Sequence, residues 1–307
     1  MPIRIAIIGF GKIARDQHVP SIAADPRFEL VAVASRNQKC ADAPCFADHR
    51  EMFATMAGEI DAVALCTPPT ARLDMARDAF AAGLHVLLEK PPTATLGEIE
   101  EIERLGRESG KTLFASWHSR HAAGVNRARE RLHDSRIRTL EIRWHEDVRK
   151  WHPGQEWIWA PGGFGVFDPG INALSIVTHI LPMRLFVSSA TLVFPANKQT
   201  PIAARIAFAG PPGALSADFD WRCEEGESWT IKVETEEGSK LELFDGGARL
   251  NIDGVAQDLP HSGEYPGLYA HFAELIESAS SDVDKAPLQL VADALLTGSR
   301  SMDPPFE

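Results

Sequence analysis

The sequence predicts an α/β N-terminal domain built on a doubly wound parallel sheet, followed by an α+β domain with a largely antiparallel, open sheet. Three observations predict this fold. Apolar runs alternate with helix-like segments over the first third of the chain, a glycine-rich turn follows the first apolar run, and strands of alternating polarity fill much of the remainder. We therefore expect a first domain over residues 1–118 and a second over 119–307, with the last helices packing back on the first domain.

Short apolar runs predict the strands of the first domain, at 3–8, 28–35, 60–67, 84–90 and 111–117. Helix-like segments between them include 70–83 and 95–110. The second of these begins with a capping box, Thr95 and Glu98, and ends at Gly110. Strands that alternate with helices in this way are parallel and joined by right-handed crossovers, which is the Rossmann arrangement.

Segments separated by turn residues predict the strands of the second domain, at 139–148, 184–194, 201–210, 213–223, 227–238 and 239–245. Helices are predicted at 167–181, 265–278 and 287–300. Clean alternation in several strands indicates an antiparallel sheet with one face covered by helices. Because the other face also needs a partner, we expect a homo-oligomer that forms through the open sheet.

Composition limits the class of protein. The net charge of −12 and the pI near 5.4 argue against nucleic acid or an anionic membrane as a partner. The N-terminal apolar run is too short for a signal peptide, and no stretch approaches the length of a membrane span. The four cysteines match no metal-binding spacing, so we expect reduced thiols, no metal site and a cytoplasmic protein.

The turn "IGFGKIA" (8–14) has the pattern G-x-G-x-x-A between a strand and a helix, which predicts dinucleotide binding. Gly9 and Gly11 allow the backbone to approach a pyrophosphate, and the helix N-terminus offers N–H donors. Where an NAD site places an acidic residue after the second strand, this chain has Ser35-Arg36. A hydroxyl and a guanidinium favour NADP, with NAD also accepted; the alternative is a solvated surface arginine.

Lys90 follows the fourth predicted strand, at the edge where doubly wound sheets bind ligands. Pro91 restricts Lys90 to an extended backbone, and a second proline stiffens the segment that follows. We interpret this as a lysine held toward a cleft. The alternative is a surface lysine that closes a strand.

Four segments carry a resemblance to a known family: "GFGKIA", "CTPPTAR" (66–72), "GLHVLLEKPPT" (83–93) and "GGFGVFDPGIN" (162–172). The chain resembles the glucose–fructose oxidoreductase/inositol dehydrogenase/rhizopine-catabolism (Gfo/Idh/MocA) family. The resemblance implies that Lys90 and Asp168 face the substrate next to the nicotinamide. Many members have histidine four residues after the aspartate, where this sequence has Asn172.

Asn172, "SRN" (35–37) and "WHPGQEW" (151–157) resemble the subgroup of L-arabinose/D-galactose 1-dehydrogenases. This implies oxidation of the anomeric hydroxyl of a pyranose to the lactone. The predicted cofactor residues are Gly9, Phe10, Gly11, Lys12, Ile13, Ser35, Arg36, Thr67 and Glu89. The predicted substrate residues are His118, Glu146, Trp151, His152, Asn172 and Trp229.

Some of these residues also have structural interpretations. Asp168-Pro169 has the composition of a helix N-cap followed by a first-turn proline. Glu146 shares the apolar face of its strand, where a carboxylate needs a partner unless it reaches water at the strand end. Trp229 lies on an apolar face typical of core packing, and each lone histidine is compatible with an ordinary surface position.

The resemblance leaves the chemistry open at two points. The proton acceptor is either Lys90 or Asp168, and the other residue stabilises charge. The alternatives to a sugar 1-dehydrogenase are a non-catalytic regulator that binds NADP and a sugar, and a dehydrogenase that acts on another sugar or on a cyclitol.

Overall fold

The computed structural model describes residues 1–36, 40, 43–260 and 263–307. In chain order the strands are β1 (Ile3–Ile8), β2 (Phe28–Ala34), β3 (Cys45–Phe46), β4 (Ala62–Leu65), β5 (His85–Leu88), β6 (Leu113–Ala115), β7 (Ile137–His145), β8 (Val187–Pro195), β9 (Ala203–Phe208), β10 (Leu215–Asp220), β11 (Ser228–Thr235), β12 (Lys240–Phe244), β13 (Arg249–Ile252), β14 (Val255–Ala256) and β15 (Ser299–Asp303). The α-helices are α1 (Val19–Ala24), α2 (His49–Thr55), α3 (Arg72–Ala81), α4 (Leu96–Ser109), α5 (Val125–Leu132), α6 (Val148–Trp151), α7 (Phe167–Ile180), α8 (Glu264–Glu277) and α9 (Ala286–Thr297).

The chain divides into two compact units. The first consists of Met1–His118 and Tyr265–Lys285, and the second consists of Ser119–Glu264 and Ala286–Glu307.

The first unit contains the predicted doubly wound parallel sheet. Among the described residues, six strands pair in the order β3-β2-β1-β4-β5-β6, and every pairing is parallel. The short strand β3 is not predicted, because two residues are too few to produce a periodic pattern. Helix α8 belongs to this unit because its apolar face, including Leu268 and Phe272, is buried in the same core as Ile5 and Phe28.

Local capping signals agree with the helix boundaries in this unit. Thr95 Oγ1 accepts a hydrogen bond from the Glu98 amide at 3.2 Å, and Glu98 Oε2 accepts one from the Thr95 amide at 2.9 Å. Gly110 ends α4 in the left-handed region with φ +66°. The predicted capping box and glycine stop are therefore confirmed.

The second unit contains a mixed sheet, ordered β14-β13-β12-β11-β7-β10-β9-β8-β15 among the described residues. It is mostly antiparallel, as predicted, but β7 pairs in parallel with β10 and β8 with β15. Helix α7 packs on one face, where Phe167 meets Phe219 of β10 edge-on at 6.0 Å. An added Cβ at Gly170 would lie 3.0 Å from the Phe219 ring, so this glycine permits the close approach of the helix.

The two faces of this sheet differ in polarity. Along β7, Leu140, Ile142 and Trp144 are buried, whereas Glu141 and Arg143 are exposed on the other face. That face also carries Arg205 and Asp218 of neighbouring strands, with 3.5 Å between Nε and Oδ1. The open face is thus charged rather than apolar.

Three further properties concern the described part of the chain. None of its helices combines the length and hydrophobicity that a bilayer span needs. Within the same ranges, no group of three or more His, Cys, Asp or Glu side chains has a metal-binding arrangement. Cys40, Cys45, Cys66 and Cys223 are free thiols.

Candidate functional site

The carboxyl ends of the parallel strands carry the predicted cofactor residues. The glycine turn follows β1, Ser35-Arg36 follows β2, Thr67 follows β4 and Glu89-Lys90 follows β5. Strands β1 and β4 are neighbours at the point where the winding of the sheet reverses, which is where such sheets bind ligands. The fold therefore brings these residues to one edge of the first unit.

Gly9 and Gly11 serve different purposes in the turn. Gly9 has φ +93°, and a Cβ there would lie 2.8 Å from the Thr67 nitrogen and 2.9 Å from the Cys66 carbonyl carbon, so only glycine fits. At Gly11 a Cβ would meet no described atom within 4 Å. The open space at Gly11 lies where a helix begins, and a pyrophosphate fits this kind of cradle of backbone N–H groups.

The other residues of the turn differ in their exposure to solvent. Phe10 is buried in the core of the first unit, so only its backbone is available to a ligand. Lys12 is exposed and pairs with Asp16, and Ile13 is 37% exposed. Directly after the turn, the helix passes through a π-helical stretch, Ala14–His18.

Ser35 and Arg36 lie just beyond β2. Ser35 is half-buried and its amide donates a hydrogen bond of 2.8 Å to the Phe46 carbonyl, while the Arg36 side chain is exposed. These positions offer a hydroxyl and a guanidinium, and no carboxylate, to a group beyond the strand end. Asn37, which contributes to the resemblance, lies outside the described residues.

Lys90 is half-buried between the buried residues Glu89 and Pro91, and the Lys90–Pro91 peptide is cis. Arg72, the first residue of α3, is 3% exposed and its guanidinium faces this segment. Its Nη1 donates to the carbonyl oxygens of Glu89 and Pro91. No sequence motif singles out Arg72, although it ends the "CTPPTAR" segment.

Glu89 lies in a buried polar cluster that we call the Glu89 cluster, formed by His18, Glu89, Tyr265 and Tyr269. Its members are at most 3% exposed. The Tyr265 hydroxyl donates to Glu89 Oε1, His18 Nε2 lies 3.4 Å from the same oxygen, and His18 Nδ1 lies 2.7 Å from the Tyr269 hydroxyl. The Glu89 carboxylate is therefore directed into the protein interior.

The charges of the Glu89 cluster are mutually stabilising. Burial by itself raises the pKa of Glu89, but the hydrogen bond from His18 and the charges of His18, His118 and Lys90 bring it down to about 2. Burial opposes a charge on His18, yet Cys66, Tyr269 and Glu89 raise the pKa of His18 well above its ordinary value. An ion pair thus lies directly beside Lys90.

Both tyrosines of the chain belong to this cluster. They are four residues apart on α8 and so share one helix face. That spacing in an apolar helix is the sequence signal for a buried polar contact, because a buried tyrosine hydroxyl needs a partner. His118, predicted as a substrate residue, stacks on Tyr265 with 5.2 Å between ring centroids.

In the second unit, Glu146 is 6% exposed just after β7. Its Oε1 accepts a hydrogen bond of 2.9 Å from Trp221 Nε1, and its Oε2 accepts one of 3.0 Å from Trp229 Nε1. Burial rules out the interpretation that Glu146 simply reaches water at the strand end. Trp229 is half-buried rather than packed in the core, so the core-packing interpretation of that residue is wrong.

Asp168 is 3% exposed and lies in the first turn of α7, after Val166 at the N-cap position. The interpretation of Asp168 as the N-cap is wrong, because α7 begins at Phe167, two residues before the start that an Asp168 N-cap requires, and no side chain caps it. His152 Nε2 lies 3.5 Å from Asp168 Oδ2. Asp168 is thus a buried carboxylate in the first turn of α7, with an imidazole close to it.

Four of the predicted substrate residues of the second unit, Glu146, Trp151, His152 and Trp229, form one connected group through Trp221. Trp151 meets Trp229 edge-on at 5.5 Å, and Trp221 lies 5.2 Å from the His152 ring while it donates to Glu146. Asn172 is half-buried one turn beyond Asp168 on α7.

Trp221 connects this group, although no motif points to it. The available signal is its inward register with Leu215, Ala217 and Phe219, because an inward-facing indole N–H needs an acceptor.

A glycine turn at the reversal point of a parallel sheet is the arrangement of a dinucleotide-binding domain. The chain belongs to the Gfo/Idh/MocA family, an oxidoreductase family with an NAD-binding Rossmann fold, whose model matches residues 3–116. The resemblance inferred from the motifs is therefore confirmed.

Similar proteins match nearly the whole chain. A galactose 1-dehydrogenase from Pseudomonas fluorescens is 47% identical over 300 residues, which cover 97% of each chain. The crystal structure of a D-galactose-1-dehydrogenase from Rhizobium etli matches with a TM-score of 0.93 and 50% identity, over 100% of this chain and 98% of its own. A 3-ketoreductase from Actinomadura kijaniata, solved with NADP and TDP-benzene, matches with a TM-score of 0.85 over 99% of this chain and 100% of its own. At 18% identity, that last match concerns the fold alone.

Proposed function

We propose that the protein is an NADP-dependent aldose 1-dehydrogenase that oxidises the anomeric hydroxyl of D-galactose, and of L-arabinose, to the lactone. The observation that carries this proposal is the group of Glu146, Trp229, His152 and Asp168 in the second unit. It places buried carboxylates among indole and imidazole rings, and this combination suits a pyranose. The relatives named above as galactose 1-dehydrogenases support the substrate class.

Aromatic rings and carboxylates bind different parts of a sugar. The C–H face of a pyranose packs on an indole ring such as Trp229 or Trp151, and its hydroxyls donate to carboxylate oxygens such as those of Glu146. The two indole N–H groups fix the orientation of the Glu146 carboxylate. Asn172 binds a further hydroxyl, since its amide both donates and accepts.

Catalysis requires a proton acceptor and a group that stabilises the developing alkoxide. We assign the proton of the anomeric hydroxyl to a carboxylate oxygen of Asp168, which His152 orients. The Lys90 ammonium stabilises the oxyanion as it forms. A nicotinamide dinucleotide supplies the hydride acceptor when it is bound. Gly11 and the turn that follows it would hold its pyrophosphate, Ser35 and Arg36 would hold a 2′-phosphate, and Thr67 would line the cofactor site.

D-Galactose and L-arabinose have the same configuration at carbons 2 to 4, so a site fitted to one accepts the other. The test is a panel of aldoses and cyclitols with NADP and with NAD, followed by the absorbance of the reduced nicotinamide, with lactone identified by NMR. We expect turnover with D-galactose and L-arabinose, and a lower KM for NADP than for NAD. Sugar binding without turnover would favour the regulator, and preferential turnover of a cyclitol or another sugar would favour the other dehydrogenase.

We propose further that the enzyme acts in the cytoplasm and self-associates through the open face of the second unit's sheet. That face carries charges of both signs, such as Arg143, Arg205 and Asp218, so two copies can pair by charge complementarity. Light scattering coupled to size exclusion, at two concentrations and two salt concentrations, tests this. A monomer under all conditions would contradict it, and Arg143→Glu is expected to weaken the assembly relative to Arg27→Glu.

A further inference from the structure

The Arg72 guanidinium binds the backbone on both sides of Lys90, a residue on which the proposed chemistry depends. Its Nε and Nη2 donate to the Thr67 carbonyl oxygen at 2.9 and 2.6 Å, and its Nη1 donates to the carbonyl oxygens of Glu89 and Pro91. Thr67 follows β4, and Glu89 and Pro91 flank Lys90 after β5. The Arg72 guanidinium therefore links the segment after β4 to the segment after β5. In the second segment it binds the residues on both sides of Lys90.

The burial of the Arg72 guanidinium costs free energy, so it needs a physical explanation. Arg72 is 3% exposed, and burying a guanidinium is unfavourable unless its donors are satisfied. All three guanidinium nitrogens donate to backbone carbonyls in the described structure. A helix that begins at residue 72 needs no buried charge at its first position, where acidic rather than basic side chains are favoured. We therefore attribute the benefit of the buried guanidinium to the fixed backbone of residues 89–91.

We propose that Arg72 is a positioning residue for Lys90, an inference that rests on the proposed function for its catalytic meaning. The bond to the Glu89 carbonyl fixes the peptide plane that precedes Lys90, and the bond to the Pro91 carbonyl fixes the chain just after it. The side chain of Glu89 is held in turn by His18 and Tyr265 in the Glu89 cluster. Arg72 thus holds the backbone next to Lys90, while His18 and Tyr265 hold the side chain of the preceding residue, Glu89. Both sets of contacts restrict the orientation of Lys90.

Only the fork of an arginine can make these contacts. A lysine at position 72 retains the charge but presents a single nitrogen, so it cannot reach three carbonyl oxygens with fixed geometry. A displacement of a reacting group by about 1 Å costs on the order of 100-fold in rate. We therefore expect Arg72→Lys to fold, to lower kcat on the order of 100-fold, and to affect KM for the sugar much less.

The experiment compares Arg72→Lys with Arg77→Lys, which changes an exposed arginine of the same helix that pairs with Asp74. Three properties are measured: kcat with its deuterium isotope effect for sugar labelled at carbon 1, the melting temperature, and the rate of reductive methylation of each lysine by mass spectrometry. For Arg72→Lys we expect a lower kcat, a larger isotope effect and a several-fold change in the labelling rate of Lys90 relative to Lys111. Arg77→Lys should match the wild type in all three.

The possible outcomes separate the two proposals. If Arg72→Lys lowers only the melting temperature, with kcat, isotope effect and Lys90 labelling unchanged, Arg72 has a structural role and the inference is overturned. If the wild type oxidises no sugar, the proposed function fails, but the labelling rates still decide whether Arg72 positions Lys90. Arg72→Met, which leaves the three carbonyls without this donor, serves as the severe variant and is interpreted only through its labelling of Lys90.

Discussion

Trp229 donates its indole N–H to a buried oxygen of Glu146 over 3.0 Å, and this bond links a half-exposed ring to a carboxylate inside the second unit. Trp221 holds the other oxygen at 2.9 Å. A carboxylate bound by two donors keeps one orientation, which is what the recognition of a particular hydroxyl configuration requires. A substitution at position 146 that preserves the side-chain shape but removes a hydrogen-bond acceptor should therefore affect both sugar binding and stability.

Glu146→Gln is therefore expected to raise KM for the sugar at least 10-fold and to lower stability by about 1–3 kcal/mol. The reason is that the glutamine NH₂ group would face one of the two indole N–H groups, so a buried donor would lose its acceptor. Steady-state kinetics and urea unfolding measure the two effects. Glu141→Gln, on the exposed face of the same strand, is the matched control. Equal sugar affinity in the two variants would remove Glu146 from substrate binding.

The glycine turn allows a test that separates folding from cofactor binding. Gly11→Ala is expected to leave the melting temperature unchanged, because a Cβ there meets no described atom within 4 Å, but to weaken NADP binding at least 10-fold by filling the cradle. Gly9→Ala is expected to lower the melting temperature, because its Cβ would lie 2.8 Å from a backbone nitrogen at a φ of +93°. Thermal unfolding and fluorescence titration with NADP distinguish the two. Tight NADP binding by Gly11→Ala would contradict the assignment of the turn.

The exposed guanidinium after β2 governs the choice of cofactor in the proposed function. Arg36→Ala is expected to raise KM for NADP about 10- to 100-fold and to leave KM for NAD unchanged, because a charge-assisted bond to phosphate contributes about 1.5–3 kcal/mol. Arg50→Ala, an exposed arginine of the same unit, is the control. A parallel rise in KM for both cofactors would show that Arg36 supports the fold rather than reading the 2′-phosphate.

The parts of the fold that follow from local patterns are predictable from the sequence, and the parts that depend on distant partners are not. The capping box at Thr95, the alternation along β7 and the glycine turn each involve residues close in sequence, so periodicity and spacing predict them. Buried Glu146 is likewise visible as a carboxylate on an apolar face. Its two indole donors come from β11 and from the segment just after β10, and no local pattern links them to it.

The Glu89 cluster and the Arg72 contacts illustrate the same limit. His18 and Tyr269 are 251 residues apart, and Arg72 acts on carbonyl oxygens, which every sequence position possesses. Asp168 shows the opposite error: a local rule predicts an N-cap, but the helix begins at Phe167 and buries the carboxylate. A local sequence rule can thus assign a capping role to a residue whose actual environment is set by tertiary packing.

Lys90 and Asp168 carry the proposed chemistry, so their removal should affect turnover rather than cofactor binding. Lys90→Met and Asp168→Ala are each expected to lower kcat by about three orders of magnitude or more, with little change in Kd for NADP, because each removes a charge used only in the transition state. Lys111→Met and Asp134→Ala, which change residues outside the proposed site, are the controls. Near-normal turnover in either variant would exclude that residue from the reaction.

The ion pair beside Lys90 predicts how stability depends on pH. The folded-state pKa of Glu89, about 2, lies below the ordinary value of 4.5, so its stabilising contribution is complete above pH 4.5 and is lost as the pH falls toward 2. His18 has a raised pKa, so its contribution is complete below 6.5 and lost only as the pH rises through its folded value; it does not change over the acid range. Wild-type unfolding free energy should therefore fall below about pH 5, with Glu89 contributing a slope of up to about 1.4 kcal/mol per pH unit.

Glu89→Gln should remove that slope and, because it leaves the His18 charge buried without its carboxylate partner, lower stability at neutral pH by about 3 kcal/mol or more. Urea unfolding from pH 3 to pH 7 measures both effects, and Glu29→Gln, an exposed change on β2, should follow the wild type. If Glu89→Gln retains the wild-type dependence between pH 5 and pH 3, the carboxylate is not ionised in the folded protein. The Glu89 cluster would then be a neutral hydrogen-bond network rather than an ion pair.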